Sequence, residues 1–472
     1  MRPITVILLL FVVYACASSA RLKRSAVRTK VLILGAGVAG LNAAKHLTDA
    51  GFHDFLILEG EGRVGGRFKQ AEVGGAMIEE GANWVHHVTD DNPIWKLVQK
   101  YKLNGYFTDY SDIMIRNEKG KDVTNKTAIN HFYSSLEKAS ELAHQRRQQQ
   151  KPDMSLRVGL AQAGWKPKNP VDDVVEYHGV DFEYPDKPEL DSFSAEVRGR
   201  DFFVLDSRGY GHIWQEMAKE FMDKIILNAV VREIRYSNYG VTVTTTDGRT
   251  YSGRYSLCTF STGVLATDMV NFSPPLPEWK MESIYKVPMR YYTKIFLQFP
   301  TDFWDDNEFI LYAHKNRGHY PIWMDIDRPG LAPGSKILHV TVTGDEALRV
   351  EGQSDEETKA EIMRELRKVY GSDIPEPIDF FYSRWSRNNF TRGSFPNVMI
   401  GTTKEDFHNL QGNVKSLYFA GDATEYEWWG FVQSAYLSGR RKATEILKCL
   451  QQTCDIFHPM SNVVQGVYIQ YW

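Results

Sequence analysis

The sequence predicts two interwoven domains, a Rossmann-like α/β unit and an α+β unit built on a mixed β-sheet flanked by helices. Three observations predict this. At 472 residues the chain is longer than one hydrophobic core usually supports. Residues 30–67 run strand, glycine turn, apolar-periodic helix, strand and acid, the order of a βαβ unit. A second strand–glycine–acid pattern stands far away at 418–424, with no repeat or low-complexity linker between, so one domain draws on both ends of the chain.

With 43% hydrophobic and 24% charged residues the composition is that of an ordinary globular protein. A formal net charge of −3 leaves no basic footprint for phosphate backbones, which excludes nucleic acid as a partner. Any charged substrate must be recognised by a few local groups. Met1-Arg2, an apolar stretch from Ile4 to Tyr14 and the small residues of 15–20 follow the order of a secretory signal, with cleavage after Ala17 or Ala20. That apolar core is shorter than the roughly 20 residues of a spanning helix, and no comparable run follows. The expectation is therefore a secreted, extracellular monomer without a membrane span, and sequons at Asn125, Asn271 and Asn389 agree with export. Once Cys16 leaves with the signal, three cysteines remain. The odd count predicts a Cys449–Cys454 bridge, which requires the last helix to end near Gln451, and a buried inert thiol at Cys258.

Beyond the first unit, helices are predicted around 92–102 and 130–150, then a turn-rich stretch over 164–191 carrying Pro167, Pro170, Pro185 and Pro188. Strands follow over 225–237 and 241–246, the latter turning through Asp247-Gly248 into a strand over 250–258. An alternating strand is predicted over 291–299, an amphipathic helix over 355–370, a short buried strand over 417–420 and a final helix over 435–450.

Each residue of the first glycine motif has a physical task. Gly35 permits the tight turn, Gly37 lets the backbone approach a pyrophosphate, and Gly40 lets helix and strand pack closely. The helix N-terminus then faces phosphates, and Glu59 at the end of the second strand can take both hydroxyls of an unphosphorylated adenosine ribose, which argues against NADP. Just beyond stands Arg63-Val64-Gly65-Gly66-Arg67, of which a plain NAD dehydrogenase has no need. Gly65 and Gly66 suit close approach to an extended cofactor, and Arg67 supplies a cation to its diphosphate. Late in the chain, Gly421 and Asp422 follow a short strand, and Gly430-Phe431-Val432 open the last helix, whose N-terminus can face a flavin ring. A flavin lying across a domain interface is held at both ends, so FAD is the expected cofactor. The FAD-binding domain is assigned to 29–110, 195–275 and 400–455, the substrate domain to 111–194 and 276–399, the signal to 1–20 and a C-terminal tail to 456–472.

With these segments, and with Glu79-Glu80-Gly81-Ala82-Asn83-Trp84-Val85-His86, Ser261-Thr262-Gly263-Val264-Leu265 and Tyr292-Thr293-Lys294-Ile295-Phe296, nearly the whole mature chain resembles the flavin amine oxidase superfamily. Within it the pattern is most similar to the polyamine oxidases, including the secreted plant enzymes. The resemblance implies hydride transfer to FAD from the carbon beside a secondary amine of spermine, spermidine or an acetylated derivative. It further implies that O2 is reduced to hydrogen peroxide and that the imine is hydrolysed to aldehyde and amine. By the same resemblance Glu59 matches the adenosine ribose ligand, Arg67 a diphosphate ligand and Val231 the backbone contact at the adenine end. Gly81, Ala82 and Trp84 match residues lining the flavin, Trp385, Asp422 and Val432 further flavin contacts, and Lys294 the lysine that holds a water against the reactive flavin nitrogen.

On the substrate side Glu183 resembles an acidic tunnel residue of the plant enzymes, with Tyr184 beside it where they carry another aromatic. His86 stands where those enzymes have an acid and resembles instead the animal enzymes. Phe431 replaces the tyrosine of an aromatic pair, with Phe395 its expected partner, and Tyr292 joins them in lining the pocket. Glu183 is expected to pair with a remote cationic amine, His86 to orient substrate or handle protons, and Lys294, desolvated on an alternating strand, to position water. No metal is expected at His86 and His87, since adjacent histidines on a strand point apart and no Cys or carboxylate spacing completes a site. Two competing readings are an L-amino acid oxidase, which needs an arginine-like clamp for a carboxylate, and a flavin-free secreted binding protein on the same fold. A histone demethylase is disfavoured by the signal and by the lack of a helical insertion.

Overall fold

Val31–Leu34, four apolar residues buried on both faces, is the middle strand of a five-stranded parallel sheet. A computed structural model describes residues 26–192, 199–328 and 332–451. Across this sheet the order is Ile225–Ile226, Phe55–Leu58, Val31–Leu34, Tyr255–Cys258, Leu417–Phe419. The chain leaves Val31–Leu34 for a neighbour on one side and returns much later on the other, so a crevice opens beyond the carboxyl ends of the strands at this switch point. The helix Val38–Asp49 buries Ala39, Leu41, Ala43, Ala44 and Leu47, sharing a core with Ala435, Ala443 and Ile446 of the last helix, Val432–Leu450. That contact ties the two ends of the chain into one domain.

A six-stranded mixed sheet runs in the order Asp379–Tyr382, Tyr292–Gln298, Ile337–Thr343, Ile322–Asp325, Phe309–Ala313, Ile113–Asn117, antiparallel except for its last pair. Tyr292–Gln298 alternates as a strand should. Tyr292 and Phe296 join a core with Phe132, Val174 and Phe182, while Ile295 and Leu297 pack with Ile362, Met363 and Leu366 of the helix Asp355–Tyr370. Lys294 therefore shares the face of Tyr292. Ser354 and Glu357 form a reciprocal capping box at the start of the Asp355–Tyr370 helix, which has the bounds expected from its periodicity.

Five sequence expectations need correction. The stretch over 164–191 contains a helix, Pro170–Gly179: Asn169 accepts the amides of Val171 and Asp172, Pro170 sits in the first turn, and Asp172 and Asp173 favour the helix dipole. Residues that punctuate turns here start a helix. The strand over 225–237 is two strands, Ile225–Ile226 in the parallel sheet and Val231–Ser237 in an antiparallel one. The strand over 250–258 likewise breaks into Thr250–Gly253 and Tyr255–Cys258, where the amides of Arg254 and Tyr255 both donate to the Lys30 carbonyl and the chain changes sheets. Two helices start early, at Lys126, capped by Asn125, and at Val432. Cys258 is buried, and burial pushes its thiol up to about 12. The last helix ends at Leu450 with Gln451 as its cap; the signal residues, the tail and Cys454 lie outside the described residues. Among the described residues no helix is long and apolar enough to cross a membrane.

Candidate active site

A cavity of about 450 Å³ opens at the carboxyl ends of the parallel strands and is lined at its other end by the mixed-sheet domain. Gly35, at φ 108°, takes the chain out of its strand, and a Cβ on Gly40 would stand 2.0 Å from the Gly35 carbonyl, so this turn closes only with glycine at both positions. A Cβ on Gly37 would meet nothing within 4 Å, which leaves open a cradle on the cavity wall. The helix that follows has no acid in its first turn and no side-chain cap, so its free amides suit a diphosphate. Gly65 donates to the Ala36 carbonyl at 2.9 Å, which brings the second glycine pair, Gly65 and Gly66, against the first loop. Glu59 is buried and lines the cavity, as does Val231; its two oxygens accept the amides of Ala36 and Glu61, both at 2.7 Å. Burial raises its carboxyl pKa, and these two hydrogen bonds draw it part of the way back. An open glycine cradle, an uncapped helix start and a buried acid one strand away fit an adenine dinucleotide.

Arg67 presents both terminal nitrogens to Asp422, each at 2.6 Å, and donates to the Ser394 carbonyl at 3.1 Å. This bidentate pair joins residues 355 apart on the cavity wall. Gly421, Gly430, Phe431 and Val432 line the same wall, as do Gly81, Ala82 and Trp84, and Trp385 donates its indole N–H to the Glu80 carbonyl at 3.2 Å. All the residues expected to hold cofactor line this cavity except Gly40, which packs behind it.

Lys294 enters where the two domains meet. Its Nζ donates to the carbonyls of Gly81, at 2.5 Å, and Glu79, at 3.2 Å, and to the side-chain oxygen of Asn83. Burial pulls the ammonium below its ordinary pKa, against the charges of Glu79 and Glu80. Glu79 moves the opposite way: burial raises its carboxyl, and the Tyr210 amide draws it down. Both shifts favour the neutral forms.

The far end is aromatic, lined by Trp84, Tyr110, Phe182, Tyr184, Tyr292, Phe395 and Phe431. Phe395 packs its ring on Tyr292 at 5.8 Å, and Phe431 packs on His86 at 4.9 Å and Trp428 at 6.3 Å. His86 Nδ1 lies 3.0 Å from Asp201 and 3.9 Å from Glu183. Burial lowers the His86 pKa, but the charge and hydrogen bond of Asp201, then the charge of Glu183, outweigh it, and the net shift is upward. Burial raises Glu183, His86 draws it back, Asp201 pushes it up again, and it stays above the ordinary carboxylate value. Asp201 is held below its ordinary value: His86, the His87 amide and the Tyr110 hydroxyl together outweigh its burial. His87, at φ 54°, turns its ring away onto Trp428.

Asp201, Tyr110, Phe182 and Asn83 were not expected from sequence. Asp201 precedes the short strand Phe202–Val204, which pairs with Trp84–Val85, and only that long-range pairing brings it beside His86. No local pattern marks it.

The profile of the flavin-containing amine oxidoreductases matches residues 38–447. Polyamine oxidase 1 of Zea mays is 37% identical over 93% of this chain and 93% of its own. Polyamine oxidase 6 of Oryza sativa subsp. japonica is 35% identical over 90% of this chain and 92% of its own. A solved putrescine oxidase bound to putrescine superposes with a TM-score of 0.72 at 20% identity, covering 89% of this chain and 99% of that one, a likeness of fold.

Proposed function

Because this chain belongs to the flavin-containing amine oxidoreductases, as an FAD-dependent amine oxidase, we propose that it oxidises polyamines such as spermine and spermidine, or their acetylated derivatives, at the carbon beside a secondary nitrogen. One observation carries this reading: the chamber beyond Lys294 is aromatic and holds Glu183 and His86, the latter backed by Asp201, while among the described residues the one arginine on the cavity wall, Arg67, has both terminal nitrogens on Asp422. An L-amino acid oxidase would need that cation for a carboxylate.

When bound, FAD supplies a two-electron acceptor for the amine's hydride and a donor of those electrons to O2, with hydrogen peroxide as product. We assign its adenosine ribose to Glu59, its diphosphate to the Gly35, Gly37 and Gly66 loops with Arg67, and its ring to the wall of Gly81, Ala82, Trp84, Trp385, Gly430 and Val432. A C–H bond beside nitrogen yields its hydride only when that nitrogen is neutral and its lone pair is free. The aromatic walls serve this by penalising an ammonium at the reacting position. Glu183 holds a second, cationic nitrogen and so fixes which carbon faces the flavin. His86, oriented by Asp201, either donates to a substrate nitrogen or takes a proton from it. Lys294 positions the water that hydrolyses the imine or assists reoxidation.

The surroundings of the enzyme belong to the same proposal. Residues 1–20 direct secretion, Cys449 bridges Cys454, the enzyme acts as a monomer, and the exposed Asn125, Asn271 and Asn389 carry sugar. Mass spectrometry of secreted protein should find a mature N-terminus just after Ala17 or Ala20.

The direct test of the register is Glu183→Gln. Losing one charged contact in a buried site costs about 1.5–3 kcal/mol, so the KM for spermine should rise about tenfold to a hundredfold while turnover of a simple monoamine is unchanged. Equal losses with both substrates would contradict the role of Glu183.

A further inference from the structure

We propose that His314, His319 and Glu365 form a divalent transition-metal site, separate from the catalytic cavity, that clips the connection of a strand hairpin to a helix. His314 and His319 lie in the connection between the strands Phe309–Ala313 and Ile322–Asp325, and Glu365 lies on the helix Asp355–Tyr370 beneath them. One ligand atom from each lies within 4.8 Å of the others, and the two imidazole rings are 4.6 Å apart. Tyr312, next to His314, packs with Ile362, Met363 and Leu366, a different core from the one that holds Tyr292 at the catalytic cavity.

The hydrogen bonds around the cluster orient it for a cation. His319 Nδ1 stands 3.1 Å from a Glu346 oxygen, which accepts the ring N–H and turns the Nε2 lone pair toward Glu365, 3.8 Å away. Two acceptors then face each other, an arrangement that favours a positive species between them, a proton on Nε2 or a metal, beside the Lys368 ammonium that Glu365 already holds. A carboxylate behind a histidine is also the outer-shell partner that fixes tautomer and direction in metal sites, and Glu346 is itself anchored by Arg349. Asn316 offers Nδ1 of His314 both its amide, at 3.0 Å, and its carbonyl, at 3.3 Å, so that ring is held in either tautomer. Its Nε2 points at Glu118, 3.1 Å away, a third carboxylate beside the cluster.

Two imidazoles and one or two carboxylates suit Zn2+ and neighbouring transition metals rather than Ca2+ or Mg2+. Ligand atoms around a tetrahedral zinc stand about 3.4 Å apart, so the set must close by at most about 1.4 Å, a movement within small side-chain rotations of the three residues. Tyr312 donates to Glu365 at 2.8 Å. Lys368 is the competing cation, at 2.8 Å and 2.9 Å from the Glu365 oxygens; its half-exposed, flexible stem lets it swing aside.

The test uses full-chain, FAD-loaded protein without an affinity tag, treated with chelator and titrated with ZnCl2 in a calorimeter and a thermal melt. Wild type should take up one Zn2+ with micromolar or tighter affinity and melt at higher temperature. His319→Gln and Glu365→Gln should each weaken uptake at least tenfold and lose the thermal shift, with peroxide formation unchanged. Failure of wild type to bind Zn2+, Co2+ or Ni2+ would overturn the site and leave a proton between His319 and Glu365. Zinc binding that survives both substitutions would overturn it equally, by assigning the metal to other residues.

Discussion

Asp201→Asn is the perturbation that most sharply probes the chamber's electrostatics, because it keeps the shape and removes one charge. Asp201 accepts three hydrogen bonds, from the His87 amide at 2.9 Å on one oxygen and from Tyr110 at 2.9 Å and His86 at 3.0 Å on the other. An amide keeps the first by leaving its oxygen there, and then presents an NH2 to two groups that had been donating. His86 must respond by accepting at Nδ1, which moves its proton to Nε2 and disfavours the imidazolium. Opposite charges 3.0 Å apart attract by about 5.5 kcal/mol at an effective dielectric constant of about 20, an upper bound for the loss, so the His86 pKa should fall by about one to three units. Glu183 at 3.9 Å still supports the charge, but burial, now less opposed, carries His86 below its ordinary value of 6.5. The assay is the pH profile of kcat/KM for spermine with 15N NMR of His86 alongside, and the limb belonging to His86 should move to lower pH by that amount. An NMR titration of His86 that is unchanged in Asp201→Asn would refute the reasoning, whatever the activity.

Further predictions follow from the same geometry. Lys294→Met should slow the oxygen-dependent half of turnover by about a hundredfold while reduction by spermine changes little; stopped-flow flavin absorbance separates the two, and normal reoxidation would contradict the role. Gly37→Val should fill the open cradle and yield folded but colourless protein, so a circular dichroism spectrum like wild type with a full flavin absorbance would show the cradle assigned wrongly. The His86–Asp201 pair should also appear in stability. The raised His86 pKa contributes stability that is full below 6.5 and lost as pH rises through the folded value. The lowered Asp201 pKa contributes stability present above 3.8 and lost as pH falls through its folded value. The gap in Tm between wild type and Asp201→Asn should therefore be widest between about pH 4 and 6.5 and should narrow above it; a gap constant from pH 5 to 9 would argue against the pair.

What sequence revealed here was local. Gly35, Gly37, Gly40 and Glu59 lie within one βαβ unit, so spacing alone states their tasks, and the Asp355–Tyr370 helix carries its own capping box. Lys294 faces the cavity because strand alternation carries it there. What sequence concealed was long-range or ambiguous. Asp201 lies 115 residues from His86 and meets it only through strand pairing, and the partnership of Arg67 with Asp422 spans the chain. Pro170 after Asn169 signals a turn and a helix start equally well, and a continuous β-prone stretch such as 250–258 does not say that its halves join different sheets. The His314–His319 spacing is visible in sequence, but its carboxylate arrives from a helix far along the chain.

The most direct test of polyamine oxidation is peroxide release by purified, flavin-loaded enzyme across spermine, spermidine, their acetylated forms, putrescine and a set of L-amino acids, with aldehyde and amine products identified. At least one polyamine should be oxidised beside its secondary nitrogen, at kcat/KM at least a hundredfold above any L-amino acid. Preferential oxidation of an L-amino acid, or no peroxide from any polyamine, would contradict the account.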